Sequence, residues 1–365
     1  MRTGIIPAAA RPAAVPLLLR CSALLLAAIL AGCSRSPEAA APGTTVLVYA
    51  TPYSPAHPFS RADRRWMDFV EKQSGGTLRI RPSWSGALLS SEHSMEELRH
   101  GVVDIGLITP IYVKGGAHLI RIQSGFYAGV DSIEEQVAMY RCLADGNPQF
   151  SRELEGLVVL AVQGGNLPGV ITRDRPIRRL EDLRGMRIRA PTELLPVLRE
   201  LGVDPVNMPM GDVYSALAKG VIDGVVAPED TFRALHFAEV AHFYLGMQVP
   251  RGAYPARAMG TKRWAKLTPQ QQSVLQEGVA VWEQALADEN RIALIAGREL
   301  AQETGVVFTT LPPEDQALFD RIYQQEADRN AALLDRYDID GRPVLARARA
   351  SVTPEGRVDC REKAE

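Results

Sequence analysis

From residue 268 to residue 304 the sequence keeps a helical pattern without a break, with no proline after Pro269 and only Gly278 and Gly297 inside it. At 1.5 Å of rise per residue such a helix is roughly 50 Å long, which is longer than globular helices usually run. One small domain cannot contain it, so it is expected to touch two. Chain length agrees: about 320 residues follow residue 44, and that exceeds what a single core usually supports.

Strands and helices alternate along the rest of the chain. Buried or half-buried strands are expected at 46–50, 77–84, 103–109, 157–163, 170–173, 186–189 and 225–226, and helices at 59–73, 91–100, 192–201, 212–219 and 230–240. The 59–73 segment places Phe59, Ala62, Trp66, Phe69 and Val70 on one side. Alternation of this kind implies an α/β protein whose sheets carry helices on both faces.

Within that pattern, Met186 to Arg189 alternates apolar and charged residues and stops at Pro191, after which Thr192 can cap a helix. Arg189 therefore stands at the carboxyl edge of a short strand. Ligands of open α/β sheets collect in the crevice outside such edges, and a guanidinium offers a planar fork that matches a carboxylate. A strand arginine is by default a surface charge, and Arg187 and Arg189 could equally share one solvated face. A wider set of segments bears on the choice: His57-Pro58; Gly75-Gly76 before a strand; Glu97 to Asp104; Arg175-Pro176-Ile177; Leu183 to Pro191; Asp212 to Leu217 running into Gly220 to Gly224; and Trp264 with Leu267-Thr268-Pro269.

In order and spacing these segments resemble the solute-binding subunits of tripartite ATP-independent periplasmic (TRAP) transporters, the dicarboxylate-binding DctP family. The resemblance covers nearly the whole chain after the tether described below. It implies a two-lobe periplasmic solute-binding fold, each lobe a β-sheet flanked by helices, with a long helix spanning both. Lobe one would comprise 45–166 plus 253–294, lobe two 167–252 plus 295–345, and 346–365 would be a C-terminal tail that packs loosely if at all. In this family the arginine at the position of Arg189 holds the substrate carboxylate. Matching residue by residue adds Thr51, Ser91, Thr109, Asn166, Gly169, Met210 and Ala227 as substrate-binding positions, with Arg175 as a lower-ranked candidate. Gly169 stands where sialic-acid-binding relatives commonly carry a second Arg, and Ala227 where they carry an Asn. Both departures point away from sialic acid, toward a smaller or more apolar acid whose charge Arg189 meets largely alone. Trp84, Tyr53 and Tyr112 are candidate walls. Glu229 either receives a ligand hydroxyl or amine or is a charge at a helix start. Asp104 and Asp223 are expected to order the backbone.

The first residues speak to location. Arg2, Arg11 and Arg20 flank or precede the apolar run 22–30, which has the form of a secretory signal and is too short to span a membrane. It ends in Leu30-Ala31-Gly32-Cys33, which resembles a lipobox, so residues 1–32 are expected to be a lipoprotein signal peptide, Cys33 the acylated new N-terminus held in the lipid bilayer, and 33–44 a polar tether. Removing residues 1–32 takes away three Arg and no acid, carrying the formal charge from −2 to about −5, which argues against nucleic acid. Cys142 and Cys360 remain, either paired in an oxidising compartment or free.

None of the six His falls into a His-Glu-x-x-His spacing, there is no Cys-x-x-Cys, and no nucleophile-elbow, phosphate-loop or dinucleotide glycine motif occurs. No enzyme, metal or cofactor is expected. The expected function is a monomeric receptor that closes on a small organic acid and delivers it to membrane permease subunits. The alternative is a sensory or scaffolding lipoprotein that keeps the fold without transport.

Overall fold

The computed structural model describes residues 43–360, together with Gly4; Cys33, the signal segment and most of the tether lie outside the described residues. Its strands, in chain order, are β1 (Thr45–Ala50), β2 (Leu78–Ser83), β3 (Ile105–Leu107), β4 (Leu157–Gln163), β5 (Gly169–Thr172), β6 (Arg187–Arg189), β7 (Asp204–Val206), β8 (Gly224–Ala227), β9 (Phe243–Gly246), β10 (Tyr254–Gly260) and β11 (Val307–Thr310). They form two sheets, ordered β2-β1-β3-β10-β4 and β11-β9-β5-β8-β6-β7. In each sheet a strand that returns from elsewhere in the chain runs antiparallel to its neighbours: β10 lies between β3 and β4, and β5 between β8 and β9. The two-lobe α/β architecture is thus present, and the chain passes between the sheets at residues 164–168 and again at 247–253.

The long helix runs Pro269–Glu303, 35 residues. It starts where a capping box closes its first turn: Gln271 N donates to Thr268 Oγ1 at 3.2 Å while Thr268 N donates back to Gln271 Oε1 at 3.1 Å. After Thr304 the chain turns at Gly305 with φ +81°, a left-handed conformation that glycine adopts at little cost. Its Val274, Leu275, Trp282, Ala285 and Leu286 enter the core against the first sheet, where Trp282 stacks on Trp66 of helix Pro58–Gln73 with ring centroids 3.7 Å apart. Its far end places Ala301 in the core beside the second sheet. One rigid element thereby joins both cores, as its length requires.

The C-terminal region departs from expectation. Helix Pro313–Leu333 begins in the core of the second sheet with Phe319 and Tyr323, but its Ala327 and Ala331 pack with Leu119, Phe126 and Phe150 of the first-lobe region. No single cut at 345 describes it. Residues 342–351 form a helix whose Val344, Leu345 and Ala348 are buried in that same core, and Cys142 is disulfide-bonded to Cys360. The expectation of a loose tail is corrected: its apolar residues recur at helical spacing and find a groove already lined by apolar side chains. Asp104 and Asp223 order backbone as expected, accepting from Val48 N and Arg187 N at 2.7 Å each.

Candidate ligand-binding cleft

Strand β6 carries two arginines on alternating positions, and only one is buried. Arg187 is exposed, at the open end of the strand, while Arg189 is 3% exposed. At its register β6 is flanked by Val206 of β7 and Val225 of β8, and the carboxyl ends of these strands face a cleft bounded on the other side by the first sheet. Arg189 Nε donates to the Met208 carbonyl at 3.0 Å and Nη2 to the Tyr112 hydroxyl at 2.7 Å. Both acceptors are neutral, and among the described residues no carboxylate lies within 4.0 Å of its nitrogens. Two of five N–H donors are spent, leaving three for a ligand. A buried guanidinium without an anion is costly, and an anionic ligand removes that cost.

The cleft encloses about 120 Å³, walled by Tyr53, His57, Phe59, Tyr112 and Tyr254. Tyr53 stacks on the His57 ring at 4.0 Å and meets Phe59 edge-on at 5.3 Å. His57 also caps the helix behind it, its Nδ1 accepting from Phe59 N at 3.2 Å. Burial, reinforced by Arg61 and Arg257, lowers its pKa to about 3, so the ring is neutral and presents a flat, uncharged face. Burial raises the Tyr53 and Tyr254 phenols above their usual range, so both stay protonated.

A second guanidinium lines the same space. Arg251 donates to the Asn166 carbonyl at 3.0 Å and, among the described residues, has no carboxylate partner within 4.0 Å. Its approach needs a glycine: a Cβ on Gly165 would lie 2.4 Å from the Arg251 Cζ. Arg189 is therefore not the sole positive charge, contrary to the reading drawn from Gly169. Arg251 lies in the second interlobe crossing, a segment with no periodicity to flag it. Two acids face the cations. Burial raises the pKa of Glu193, opposed by Arg189 and Arg251, and that of Asp230, opposed by its bond with Asn166.

Of the residues expected at the site, Arg189, Thr109, Met210 and Ala227 line the cleft, as do Tyr53 and Tyr112. Asn166 sits just behind the wall, its Nδ2 donating to Asp230 Oδ1 and to the Asn290 carbonyl, both at 2.8 Å. The others lie elsewhere. Thr51 is fully buried, its hydroxyl accepting from Tyr53 N at 3.4 Å; the Ser91 carbonyl accepts from the Ser94 hydroxyl at 3.4 Å, and Ser91 is not among the residues lining the cleft. Gly169 is hemmed in by the Leu245 carbonyl and the Tyr244 ring, 2.4 and 2.6 Å from where a Cβ would stand, so no larger side chain fits there. Glu229 turns away to a bidentate pair with Arg298 of the long helix at 2.5 and 2.6 Å, and it is the next residue, Asp230, that faces the cleft. Arg175 is exposed and bonds the Asp182 carbonyl, and Trp84 packs on Tyr49 in the first core. Sequence reasoning missed Arg251, Glu193, Asp230 and Tyr254. Among the described residues no group of three or more His, Cys, Asp or Glu could hold a metal ion, and no helix is long and apolar enough to cross a membrane.

Residues 49–332 match the family model DctP, bacterial extracellular solute-binding protein, family 7. The chain belongs to this family. A family-7 chain with this geometry has solved counterparts. A TRAP solute-binding protein from Rhodoferax ferrireducens T118, in complex with copurified benzoate, superposes with a TM-score of 0.75 at 24% identity, covering 84% of this chain and 97% of that one. A marine metagenome TRAP solute-binding protein specific for aromatic acid ligands, in complex with metahydroxyphenylacetate, gives 0.76 at 22% identity over 84% and 98%. In sequence, the uncharacterized protein YiiZ of Salmonella typhimurium is 24% identical over 248 residues, 62% of this chain and 72% of that protein. The resemblance to TRAP solute-binding subunits is borne out, and so is the two-lobe fold that it implied.

Proposed function

We propose that this protein is the periplasmic receptor of a TRAP transporter, that it binds a small organic acid by a carboxylate on Arg189, and that it delivers the acid to the membrane permease. The observation that carries the reading is the state of Arg189: buried, bonded only to neutral acceptors, and open to the cleft through its remaining donors. Closure of the two lobes about their crossings is favoured by contacts that only the closed state makes; the Arg189–Tyr112 bond joins the second sheet to the turn after β3 of the first. Excluding water strengthens the charge-assisted bond to the ligand.

The size and lining of the cleft favour a compact, flat acid. The enclosed volume of about 120 Å³ is close to the ~150 Å³ cavity that holds a benzene ring, and neutral aromatic faces line it. Benzoate and metahydroxyphenylacetate, the acids held by the two structural relatives, are of this kind. We further propose that Cys33 is acylated and tethers the domain to the membrane through residues 33–44, on the strength of the charged start, the short apolar run and the Leu-Ala-Gly-Cys sequence. Calorimetric titration of the purified domain and of Arg189→Ala against a panel of organic acids tests the binding site. The variant is expected to fold and to bind no acid, since truncating one side of a buried charge pair costs about 2–5 kcal/mol. Unchanged affinity would remove Arg189 from the site.

A further inference from the structure

Among the described residues, two oxygen atoms in the cleft are buried and lack any hydrogen-bond partner: Oγ1 of Thr109 and Oε2 of Glu193. They come from opposite sides. Thr109 follows β3 of the first sheet, and Glu193 follows β6 of the second, packed against Gly125 across the gap. Neither atom is left over from a structural role. The Thr109 main chain is already held, its N–H bonded to Ser94 Oγ at 3.1 Å, and Ser124, which lines the same cleft as Glu193, donates its hydroxyl to the Arg121 carbonyl at 2.6 Å. A buried hydroxyl and a buried carboxyl oxygen left unbonded each cost free energy, and their shared position in one cavity locates where that cost is recovered. Arg189 and Arg251 serve the carboxylate of the ligand, but neither can satisfy a hydroxyl donor.

We propose that Thr109 and Glu193 together receive a hydroxyl group of the ligand, so that the acid this cleft selects is a hydroxy acid. The inference rests on the carboxylate reading of Arg189 and adds the second polar group. A threonine hydroxyl donates and accepts, and a carboxyl oxygen accepts from the ligand O–H or, when protonated, donates to it. Burial raises the pKa of the Glu193 carboxyl, and the Arg189 and Arg251 guanidinium groups that line the same cleft would repel an ammonium group but not a hydroxyl. Because the two partners stand on different lobes, the hydroxyl adds a contact that exists only when the cleft is closed.

The test compares matched acids with and without a hydroxyl: benzoate with its three monohydroxy isomers, phenylacetate with hydroxyphenylacetates, and propionate with lactate. Dissociation constants are measured by calorimetry for the natural protein, Thr109→Val, Glu193→Ala, Glu193→Gln and Arg189→Ala. In the natural protein one hydroxylated member is expected to bind more than about tenfold tighter than its parent, because a site built for a hydroxyl rejects the analogue lacking it. Thr109→Val removes no bond present in the ligand-free protein, and it and Glu193→Ala should each cut that preference below about threefold, read as the ratio of hydroxylated to parent affinity within the same variant, so that a change in parent-acid affinity common to both ligands cancels. Glu193→Gln, which keeps a donor and an acceptor, should restore most of it. Acid binding with no hydroxyl preference in any pair, or a preference that survives both Thr109→Val and Glu193→Ala, overturns the proposal and leaves the carboxylate site standing. If no acid binds the natural protein, or Arg189→Ala binds as well as it does, the carboxylate reading fails and this proposal with it.

Discussion

Arg189 and Tyr112 meet across the cleft, the guanidinium Nη2 donating to the phenol oxygen at 2.7 Å with the Arg189 Cζ 5.9 Å from the ring centroid. One residue ends a strand of the second sheet and the other closes the short turn Pro110–Tyr112 after a strand of the first. The bond fixes one edge of the fork and leaves Nη1 free to pair with an incoming oxygen.

That arrangement predicts graded losses. Tyr112→Phe gives up a hydrogen bond to a charged group, worth about 1.5–3 kcal/mol, and should weaken acid binding by roughly tenfold or more without unfolding the domain. Arg189→Lys keeps the charge but replaces the planar fork with a point charge, and should lose more than Tyr112→Phe does. Calorimetry on both variants decides; equal affinity of Tyr112→Phe and the natural protein would make the contact incidental.

His57 predicts a pH signature. Its folded pKa, lowered to about 3, lies below the unfolded value near 6.5, so the stability that depends on the neutral ring is fully present above about pH 6.5 and is lost as pH falls toward 3, where the unfolded chain binds a proton that the folded one refuses. The slope reaches about 1.4 kcal/mol per pH unit. The raised carboxyls of Glu193 and Asp230 act oppositely, their contribution being present below the ordinary carboxylate range and lost as pH rises through their higher values. His57→Asn keeps a cap acceptor and removes only the histidine's share. Urea unfolding at several pH values from 7 to 5 should therefore show a shallower loss in the variant than in the natural protein.

These residues also mark where the sequence was legible. Helix Pro269–Glu303 could be read because its signal is local: a helical pattern that no proline interrupts after Pro269. Arg189 was legible for the same reason, through the alternation of its strand and the stop at Pro191. Glu229 and Asp230 were not separable. They precede a helix of four residues, Thr231–Ala234, too short to define a face, so which carboxylate meets the cleft and which meets Arg298 depends on how the long helix passes. Gly297 sets that passage, since a Cβ there would lie 2.3 Å from the Glu229 carbonyl. Arg251 was invisible because its place in the site comes from the return of β10 to the first sheet, a non-local pairing that no window of sequence encodes.

Beneath the aromatic wall, Asp63 and Arg257 form a pair with both side chains fully buried, Arg257 Nε donating to Asp63 Oδ1 at 2.9 Å. Trp282 Nε1 donates to the same oxygen at 2.9 Å and Tyr49 Oη to the other at 2.5 Å. Four elements thus converge on one carboxylate: strands β1 and β10, helix Pro58–Gln73 and the long helix. Removing one partner strands the other's charge, so Asp63→Ala should cost about 3–5 kcal/mol, read as a lower urea midpoint. Acid affinity of the remaining folded protein should change little, because neither residue lines the cleft.

The disulfide predicts a dependence on redox conditions that binding should not share. Cys142 and Cys360 are 218 residues apart in sequence, and a bridge closing so long a loop restricts the unfolded chain, with a typical worth of about 2–4 kcal/mol. It also pins the segment after helix Arg342–Ser351, whose Ser351 Oγ lies 3.3 Å from the Cys142 sulfur. Protein produced in an oxidising compartment should show a urea midpoint that falls when reductant is added, while Cys142→Ser/Cys360→Ser should start at the lower midpoint and show no further fall. Ligand affinity should be the same in both, since Cys142 belongs to the core and not to the cleft wall. A midpoint indifferent to reductant would mean that the helix is held by Val344, Leu345 and Ala348 alone.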